Sequence, residues 1–410
     1  MSAVRTTGLA LLAATALTVP AQPATGEVVA VRGGVVHTLA GPPIPEGVVV
    51  IRDGIIEAVG PAGEVAVPEG ARELSAAVVT PGLIDAHSVV GLAGHLNTPH
   101  DQDQLERSAP VQPELRALDA YNARERLVEW VRGFGVTTLH TGHAPGTLVA
   151  GQTMIVKTRG DTVEEAVVVP EAMVAATLGE GAIAADGKSP GTRAKAVAML
   201  RSELLAARAY AEKLARAEEG KVPARDLRKE ALAAVLAGEL PLLVTAHRHQ
   251  DIASALRVQR EFGFRLVLDG AAEAYLLTDE LRRSGVPVIV HPTMARASGE
   301  RENATMELAA RLAEAGVPIA LQSGYESYVP KTRVLLFEAA IAAAHGLGFD
   351  GALEAVTLGA ARLLGIDGRV GSLEPGKDGD LALFDGDPFE YLTHCVGVVI
   401  EGEVFAGESY

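Results

Sequence analysis

The stretch that decides the fold class is Pro81-Gly82-Leu83-Ile84-Asp85-Ala86-His87-Ser88-Val89. Its apolar residues, bounded by Pro and Gly, predict a buried strand that ends near His87. Because side chains alternate along a strand with a period of two, residues 87 and 89 are expected to point the same way. The strand end therefore offers one imidazole and, at the next equivalent position, the aliphatic side chain of Val89.

Strand-like runs lie on both sides of the central part of the chain. Residues 48–52 and 55–59 are β-branched runs joined by Asp53-Gly54, a dipeptide suited to a two-residue hairpin. Similar runs return after Gly371, at residues 380–384, 396–400 and 403–405. We expect the two chain ends to pair into one small β-sandwich.

Between the two ends, strand-like and helical patterns alternate. The helical segments lie at residues 192–217, 251–262, 303–315 and 332–344, and the strand-like runs end near His87, Leu139, Ala246, Asp269, His291 and Leu321. Alternating β and α units predict a parallel sheet. There are enough units for a (β/α)8 barrel.

Composition excludes some classes of partner. The chain has 410 residues, 48% of them hydrophobic, which is enough for one large core and a smaller one. Its formal net charge is −16, and no basic stripe offsets that charge. A nucleic-acid partner is therefore not expected.

The first residues have the pattern of a targeting segment. Arg5 precedes an apolar stretch at residues 8–19, and Val19-Pro20-Ala21 offers small residues for cleavage. This predicts a signal peptide at residues 1–21 and a periplasmic or secreted mature chain; a disordered Ala-rich start is the alternative. No later segment reaches the roughly 18 apolar residues of a membrane span, so none is expected.

The residues at 81–87 are similar to the first-strand signature of the amidohydrolase superfamily, and the chain most resembles its imidazolonepropionase-like branch. The resemblance continues through Gly135-Val136-Thr137-Thr138 to a closing motif at residues 371–381, GSLEPGKDGDL. It implies a TIM-like (β/α)8 barrel at residues 81–368 and a small β-sandwich built from residues 25–80 and 369–410. It also implies hydrolysis of amide or related C–N bonds with one or two divalent metals.

The resemblance also indicates which metal ligands are present. A catalytic metal lowers the pKa of its bound water and polarises the carbonyl, and barrel strands present its ligands at their carboxyl ends. His87 and His247 match ligand positions, whereas Val89, Gly270 and Gly324 stand where further ligands are required. A catalytic zinc typically uses three protein ligands. We therefore predict a degenerate site that holds one divalent metal, zinc, or none.

Arg248, His291 and Tyr325 are predicted to contact substrate, while the catalytic residues stay unassigned. Arg248 is suited to a substrate carboxylate, or else it pairs with a structural acid such as Asp251. His291 is a substitute ligand, a substrate contact or a histidine of the barrel rim. Other histidines near predicted strand ends offer a rebuilt metal site, namely His95, His100, His140, His143 and His249.

Further residues are candidates for the site or its surroundings, and two of them, Lys157 and Asp269, allow two interpretations each. Lys157 and Glu180 are candidates for the bridging ligand of the fourth strand, with a solvated strand end as the alternative for Lys157. Asp269 is a relocated acid or a turn residue. The loop at residues 97–120 is expected over the barrel mouth.

Three functions are compatible with these features. The first is an exported amidohydrolase-like protein that is inactive or altered because its binuclear site is largely lost. The second is a hydrolase with a single metal in a histidine-rebuilt site, and the third is a barrel that binds a ligand without chemistry. In each case the expected partner is a small molecule, and the family resemblance implies a symmetric homo-oligomer.

Overall fold

The structure is a computed structural model that describes residues 27–407, apart from 97, 185–186, 219–221, 292–295 and 326–333. The predicted signal peptide lies outside the described residues. Within them the strands are, in chain order, β1 (Val28–Val36), β2 (Ile44–Arg52), β3 (Ile55–Pro61), β4 (Arg72–Pro81), β5 (Leu83–Ser88), β6 (Val136–Thr141), β7 (Val149–Gln152), β8 (Met154–Lys157), β9 (Val167–Val169), β10 (Val174–Thr177), β11 (Leu242–Ala246), β12 (Leu266–Gly270), β13 (Val288–Val290), β14 (Ile319–Leu321), β15 (Leu381–Phe384), β16 (Cys395–Ile400) and β17 (Glu403–Ala406).

Helices follow many of the central strands and cover them. The described α-helices are α1 (Arg126–Arg132), α2 (Val163–Ala166), α3 (Arg193–Ala215), α4 (Leu227–Ala237), α5 (His249–Phe262), α6 (Thr278–Ser284), α7 (Leu308–Glu314), α8 (Leu335–Ala342), α9 (Gly348–Ala355) and α10 (Leu358–Leu364). Within the described ranges, none of them combines the length and the apolar character needed to cross a membrane.

The two chain ends share one sheet. Seven strands lie in the order β17-β16-β15-β4-β1-β2-β3, and β15 pairs antiparallel with β4, so that Leu383 lies opposite Val79. The pairing of the two ends agrees with the prediction. A sandwich also requires a second sheet facing the first, and among the described residues the chain ends form this one sheet, so the predicted sandwich is not confirmed.

The central strands form mixed α/β sheets, which confirms the predicted barrel only in part. One sheet has the order β14-β13-β12-β11-β10-β7 and the other β5-β6-β8-β9. The pairs from β10 to β14 are parallel, as are β5 and β6. A single bridge between Ser88 and Gly324 connects the sheets at one side, and a closed eight-stranded sheet is not formed by the described residues.

The strands β7 and β8 depart from the expected all-parallel pattern. β8 is antiparallel to β6, and β7 is antiparallel to β10. Residues 142–153 connect β6 to β8 without a helix, whereas a parallel return to the same sheet usually runs through a helical crossover. Thr153 separates the two strands and pairs with Met173 through its backbone.

The core between these strands has an apolar layer with a polar layer above it. Leu243, Val267, Ile289 and Ala320 belong to one buried apolar cluster on β11 to β14. Because strand side chains alternate, the residue two positions further along each strand faces the same interior. That residue is polar in each case, and the set is Thr245, Asp269, His291 and Gln322. The strands therefore place an apolar layer beneath a polar pocket.

Candidate functional site

Polar side chains from five strands meet at the carboxyl ends of those strands. They are His87 on β5, Thr245 on β11, Asp269 on β12, His291 after β13 and Gln322 after β14, and all five are buried. Together with His247 and Tyr325 they line an inner pocket of about 40 Å³. A volume of this size accommodates a few water molecules or one small polar group of a ligand.

Asp269 is the centre of the inner pocket. Its Oδ1 lies 3.1 Å from Nδ1 of His87 and accepts a 2.7 Å hydrogen bond from Nε2 of Gln322. Its Oδ2 accepts a hydrogen bond from the Thr245 hydroxyl. Both oxygens are engaged, as a buried carboxylate requires. Asp269 is thus more than a turn residue, because it connects His87, Thr245 and Gln322 in one polar network.

His87 and Asp269 shift each other's pKa in opposite directions. Burial raises the pKa of Asp269, but the charge of His87 and the hydrogen bonds that the carboxylate accepts lower it to about 2. Burial likewise lowers the pKa of His87, but the Asp269 charge and hydrogen bond outweigh it and hold that pKa above its ordinary value. Opposite charges at this distance favour the charged form of both groups. They form a buried ion pair.

His140 lies next to His87, and both of its ring nitrogens are already engaged. The two ring centroids are 5.6 Å apart. Its Nδ1 lies 2.6 Å from the carbonyl oxygen of Ala86, and its Nε2 lies 2.6 Å from the hydroxyl of Thr153. Burial, followed by the charge of His87, lowers the pKa of His140 to about 3. His140 is therefore a neutral structural histidine.

His247 occupies space that a side chain at residue 270 would fill. A Cβ placed on Gly270 would lie 2.5 Å from Cε1 of His247, and the φ of Gly270 is +78°. Burial lowers the pKa of His247 to about 4, so the ring is neutral at neutral pH. Gly270, which supplies no metal ligand, thus leaves the space that the His247 imidazole fills.

Gly270→Ala is expected to lower the free energy of unfolding by about 2–4 kcal/mol, because a steric clash with His247 adds to the strain of a positive φ. Gly263→Ala is the matched control, since Gly263 has a φ of +80° and a Cβ there meets nothing within 4 Å. The control is expected to lose about 1 kcal/mol. Urea denaturation measures both, and equal losses would show that the His247 ring does not fill this space.

The side chains present do not fit a metal site of the expected type. Val89, Gly270 and Gly324 carry no lone pairs on their side chains. Nε2 of His87 and Nδ1 of His247 are buried and have no hydrogen-bond partner among the described residues. Two imidazoles fall short of the three protein ligands of a catalytic zinc. In the part of the chain that the structure describes, no three His, Cys, Asp or Glu side chains are grouped so as to hold a metal ion.

The predicted substrate contacts differ in where they lie. His291 and Tyr325 line the inner pocket, whereas Arg248 does not line it. The Arg248 guanidinium pairs with Glu273 at 2.9 Å and with Glu302 at 2.7 Å. The anticipated structural acid is therefore not Asp251, which pairs with Arg193 instead.

Two other histidines of the predicted cluster, His95 and His249, pair with carboxylates outside the inner pocket. Nδ1 of His95 lies 3.5 Å from Glu125, and Nδ1 of His249 lies 2.8 Å from Glu273. His291, by contrast, donates its backbone N–H to the carbonyl oxygen of Gly270 and holds its side chain at the pocket. Three of the strand-end histidines, His87, His247 and His291, line the inner pocket, whereas His95 and His249 do not belong to its lining.

An outer cavity of about 1010 Å³ continues from the inner pocket. The two share the residues Pro145, Thr245, His247, Arg301 and Tyr325. Residues 107–110 line the outer cavity, as expected for the loop over the mouth. Arg301 was not identified from the sequence, because it follows no strand directly and belongs to no motif.

Lys157 lies away from the pocket, near the opposite end of the strands. Because β8 is antiparallel to β6, Lys157 is paired with Thr138 near the start of β6. Its side chain is 2% exposed, with Nζ 3.0 Å from Asp378 and in contact with Asp380. Lys157 is therefore neither a solvated strand end nor a ligand beside His87. Glu180, the other candidate, is exposed and lines the outer cavity.

Comparison with known proteins places these features in a family. Residues 78–405 match the model of the amidohydrolase family. The imidazolonepropionase of Syntrophobacter fumaroxidans is 33% identical over 141 residues, which is 33% of this chain and 32% of that protein. The chain thus matches about a third of the length of this curated relative.

Solved structures agree with the family match. An amidohydrolase from Thermotoga maritima has a TM-score of 0.85 and 29% identity, covering 92% of this chain and 100% of that one. A zinc-bound adenosine deaminase from Xanthomonas campestris has a TM-score of 0.55 and 17% identity over 92% of each chain, which is a likeness of fold alone. Since the family match spans most of the sequence, the chain belongs to the amidohydrolase family.

Proposed function

We propose that this chain is a metal-independent amidohydrolase-family protein that binds a small polar molecule and has lost metal-dependent hydrolysis of C–N bonds. The observation that carries the proposal is the buried ion pair of His87 and Asp269 at the carboxyl ends of the strands. Barrel enzymes assemble their reacting groups at this edge. In this chain the Asp269 carboxylate lies at the carboxyl ends of the strands, and its partners are the side chains of His87, Thr245 and Gln322.

Two of the bases in the described pocket are poorly suited to hydrolysis, which supports the proposed loss. Hydrolysis of an amide requires a group that takes the proton of the attacking water. Asp269 is a poor base, because its pKa is about 2 and hydrogen bonds engage both of its oxygens. His247 is also a weak base, because its pKa is about 4.

The same pocket is suited to binding. The inner pocket presents His247, and the Tyr325 hydroxyl accepts a 3.2 Å hydrogen bond from Gln104 at its edge. The outer cavity of about 1010 Å³ is at the upper end of the roughly 300–1,000 Å³ of small-molecule sites. These dimensions support a small-molecule partner.

Thermal unfolding with a panel of N-acyl amino acids, dipeptides and cyclic amides tests the proposal, with turnover measured in the same samples. We expect at least one compound to raise the Tm by the same amount in EDTA and in ZnCl₂, since a ligand that binds only the folded state stabilises it. We expect no hydrolysis above the uncatalysed rate. Hydrolysis that EDTA abolishes and ZnCl₂ restores would overturn the proposal, as would a panel without any stabilising compound.

A single-metal hydrolase built on His87 and His247 is the second candidate. It is favoured by the arrangement of His87, whose Nδ1 faces Asp269 while its Nε2 has no partner among the described residues. Histidines that bind metals commonly donate their other nitrogen to a carboxylate in this way. Under this alternative, His87→Ala abolishes bound zinc and turnover together. In a metal-independent protein, the same change leaves the zinc content unaltered.

We also propose that residues 1–21 direct export, because a basic residue, an apolar stretch and a small-residue site follow one another there. Sequencing of the mature amino terminus from an exported fraction is expected to begin after Ala21. A protein that retains Met1 in that fraction would contradict export.

We also propose that the chain is divided into two domains. Residues 81–368 form one barrel-like domain, and residues 25–80 with 369–410 form the other. The pairing of β15 with β4 and the bridge from Ser88 to Gly324 support this division. An experimental structure in which the strands of residues 81–368 leave an open ring would contradict it.

A further inference from the structure

The outer cavity has one cationic residue that reaches down to the inner pocket. Arg301 lines both the inner pocket and the outer cavity, next to His247. It is partly buried, and no described Asp or Glu lies within ion-pair distance of its guanidinium. A half-buried guanidinium that faces a cavity in this way can satisfy its N–H donors with a ligand.

The turn that carries Arg301 is anchored on both of its sides. Glu300, the residue before it, pairs with Arg193 at 2.7 Å and accepts a hydrogen bond from the backbone N–H of Glu180. Glu302, the residue after it, pairs with Arg248 at 2.7 Å. The backbone at residue 301 is therefore fixed, and it places Arg301 in the lining of the cavity.

Asn303, which follows Glu302, is anchored as well. Asn303 donates a 2.7 Å hydrogen bond to Oε1 of Glu273, and the same oxygen accepts a hydrogen bond from Arg248. Arg248 additionally donates to the carbonyl oxygen of Gly299 at the start of the turn. Binding sites need side chains that are positioned before the ligand arrives, and these contacts supply that positioning for Arg301.

The charges around the cavity favour an anion at Arg301. Arg107 and Lys188 also line the outer cavity, whereas the chain as a whole has a net charge of −16. Two acids line it too: Glu300 pairs with Arg193, which Asp251 also contacts, and Glu180 is exposed to solvent. A guanidinium matches a carboxylate or a phosphate in a two-pronged geometry that water does not provide.

We propose that Arg301 recognises an oxyanion, a carboxylate or a phosphate, on a small molecule whose opposite polar end lies in the inner pocket beside His247. This rests on the proposed function, in which the cavity takes a small molecule. Arg301 lies where the outer cavity meets the inner pocket, so the charged group of the ligand is expected at this junction.

The test compares N-acetylglycine with its uncharged amide, N-acetylglycinamide, by titration calorimetry on the full mature chain. We expect the wild type to bind the carboxylate at least about tenfold more tightly, as charge-assisted hydrogen bonds imply. In Arg301→Ala the ratio is expected to fall to about one, and Arg301→Lys is expected to recover only part of it. Arg282→Ala, which removes an exposed arginine on α6, is the control and should keep the wild-type ratio.

Two additional readouts locate the site and identify the anion. The ring Cε1–H signal of His247 in NMR is expected to shift with N-acetylglycine in the wild type but not in Arg301→Ala. Competition by inorganic phosphate or by acetate then shows whether a phosphate or a carboxylate is preferred, and stronger competition by either supports the proposal. Equal binding of the two glycine compounds, an unchanged ratio in Arg301→Ala, or no binding of any of these anions would overturn it. Failure of the proposed function is seen separately, as zinc-dependent turnover.

Discussion

Lys157→Met is expected to lower the free energy of unfolding by about 3–5 kcal/mol, since removing one partner of a buried ion pair leaves the other charge uncompensated. The Lys157 side chain is 2% exposed and contacts Asp378 and Asp380, which are 7% and 3% exposed. Burial already raises the pKa of Asp380. Without the ammonium group, the variant must keep one buried negative charge unpaired or take up a proton.

The location of Lys157 adds to the effect of its removal. Lys157 ends β8 in the central part of the fold, whereas its two partners belong to the closing motif that leads into β15. The contact therefore connects segments that are more than 200 residues apart, 221 and 223 residues in the two bonds. Arg369 also reaches Asp378, at 2.8 Å, so that one of the two acids keeps a partner in the variant.

Urea denaturation followed by circular dichroism measures this loss. Lys213→Met, at an exposed position of α3, is the control and is expected to change the free energy of unfolding by less than about 0.5 kcal/mol. Adding Asp378→Asn and Asp380→Asn to Lys157→Met is expected to recover part of the stability, because no buried charge then remains unpaired. A loss below about 1 kcal/mol in the single variant would contradict the account.

Asp269→Asn is expected to cost about 3 kcal/mol near pH 6, because it removes the counter-charge of His87. The buried imidazolium then has to lose its proton, and the hydrogen bonds from Thr245 and Gln322 are weakened. Asp279→Asn is the control, since the Asp279 side chain is 72% exposed at the surface of α6. The control is expected to stay within about 0.5 kcal/mol of the wild type.

The difference between wild type and Asp269→Asn is expected to depend on pH in a defined direction. The pKa of Asp269 is lowered from 3.8 to about 2, so its contribution is complete above pH 4 and is lost as the pH falls toward 2. The pKa of His87 is raised, so its contribution is complete below about pH 6.5 and is lost as the pH rises through the raised value. The difference should therefore be largest between about pH 4 and 6.5. A difference that does not vary with pH would contradict the ion pair.

Local patterns predicted the parts of the fold that neighbouring residues determine. The strand at residues 81–89 and the helix that starts near residue 251 depend on apolar spacing and on flanking polar residues, and both are present as β5 and α5. The pairing of the chain ends followed from similar strand patterns on both sides. The assignment of β5 and α5 needs no knowledge of distant contacts.

Other elements depend on contacts that sequence spacing does not reveal. β4 was missed, since its first residues alternate between exposed and half-buried and its partner β15 lies some 300 residues further on. α7 begins at Leu308 and not near residue 303, because the side chains of Glu302 and Asn303 are held by Arg248 and Glu273 in the preceding turn. Tertiary contacts override local helical pattern in such places.

The site was predictable to a similar extent. His87 and His247 were identified because they match ligand positions of the family that the chain resembles, and His291 because it lies near a predicted strand end. All three line the inner pocket. The central position of Asp269 was left open, because an aspartate at a strand end has the same local pattern whether it turns the chain or binds a histidine. Arg301 could not be found at all, because the turn that carries it is fixed by three side chains from other segments, Arg193, Arg248 and Glu273.

Zinc content is the most direct measure of the claim that an internal ion pair has replaced the metal. The mature protein, purified without chelators and equilibrated with a small excess of ZnCl₂ before gel filtration, is analysed by elemental mass spectrometry. We expect less than about 0.1 equivalent of zinc, since His87 and His247 fall short of the three ligands of a catalytic site. About one equivalent of tightly held zinc that disappears in His87→Ala would contradict it.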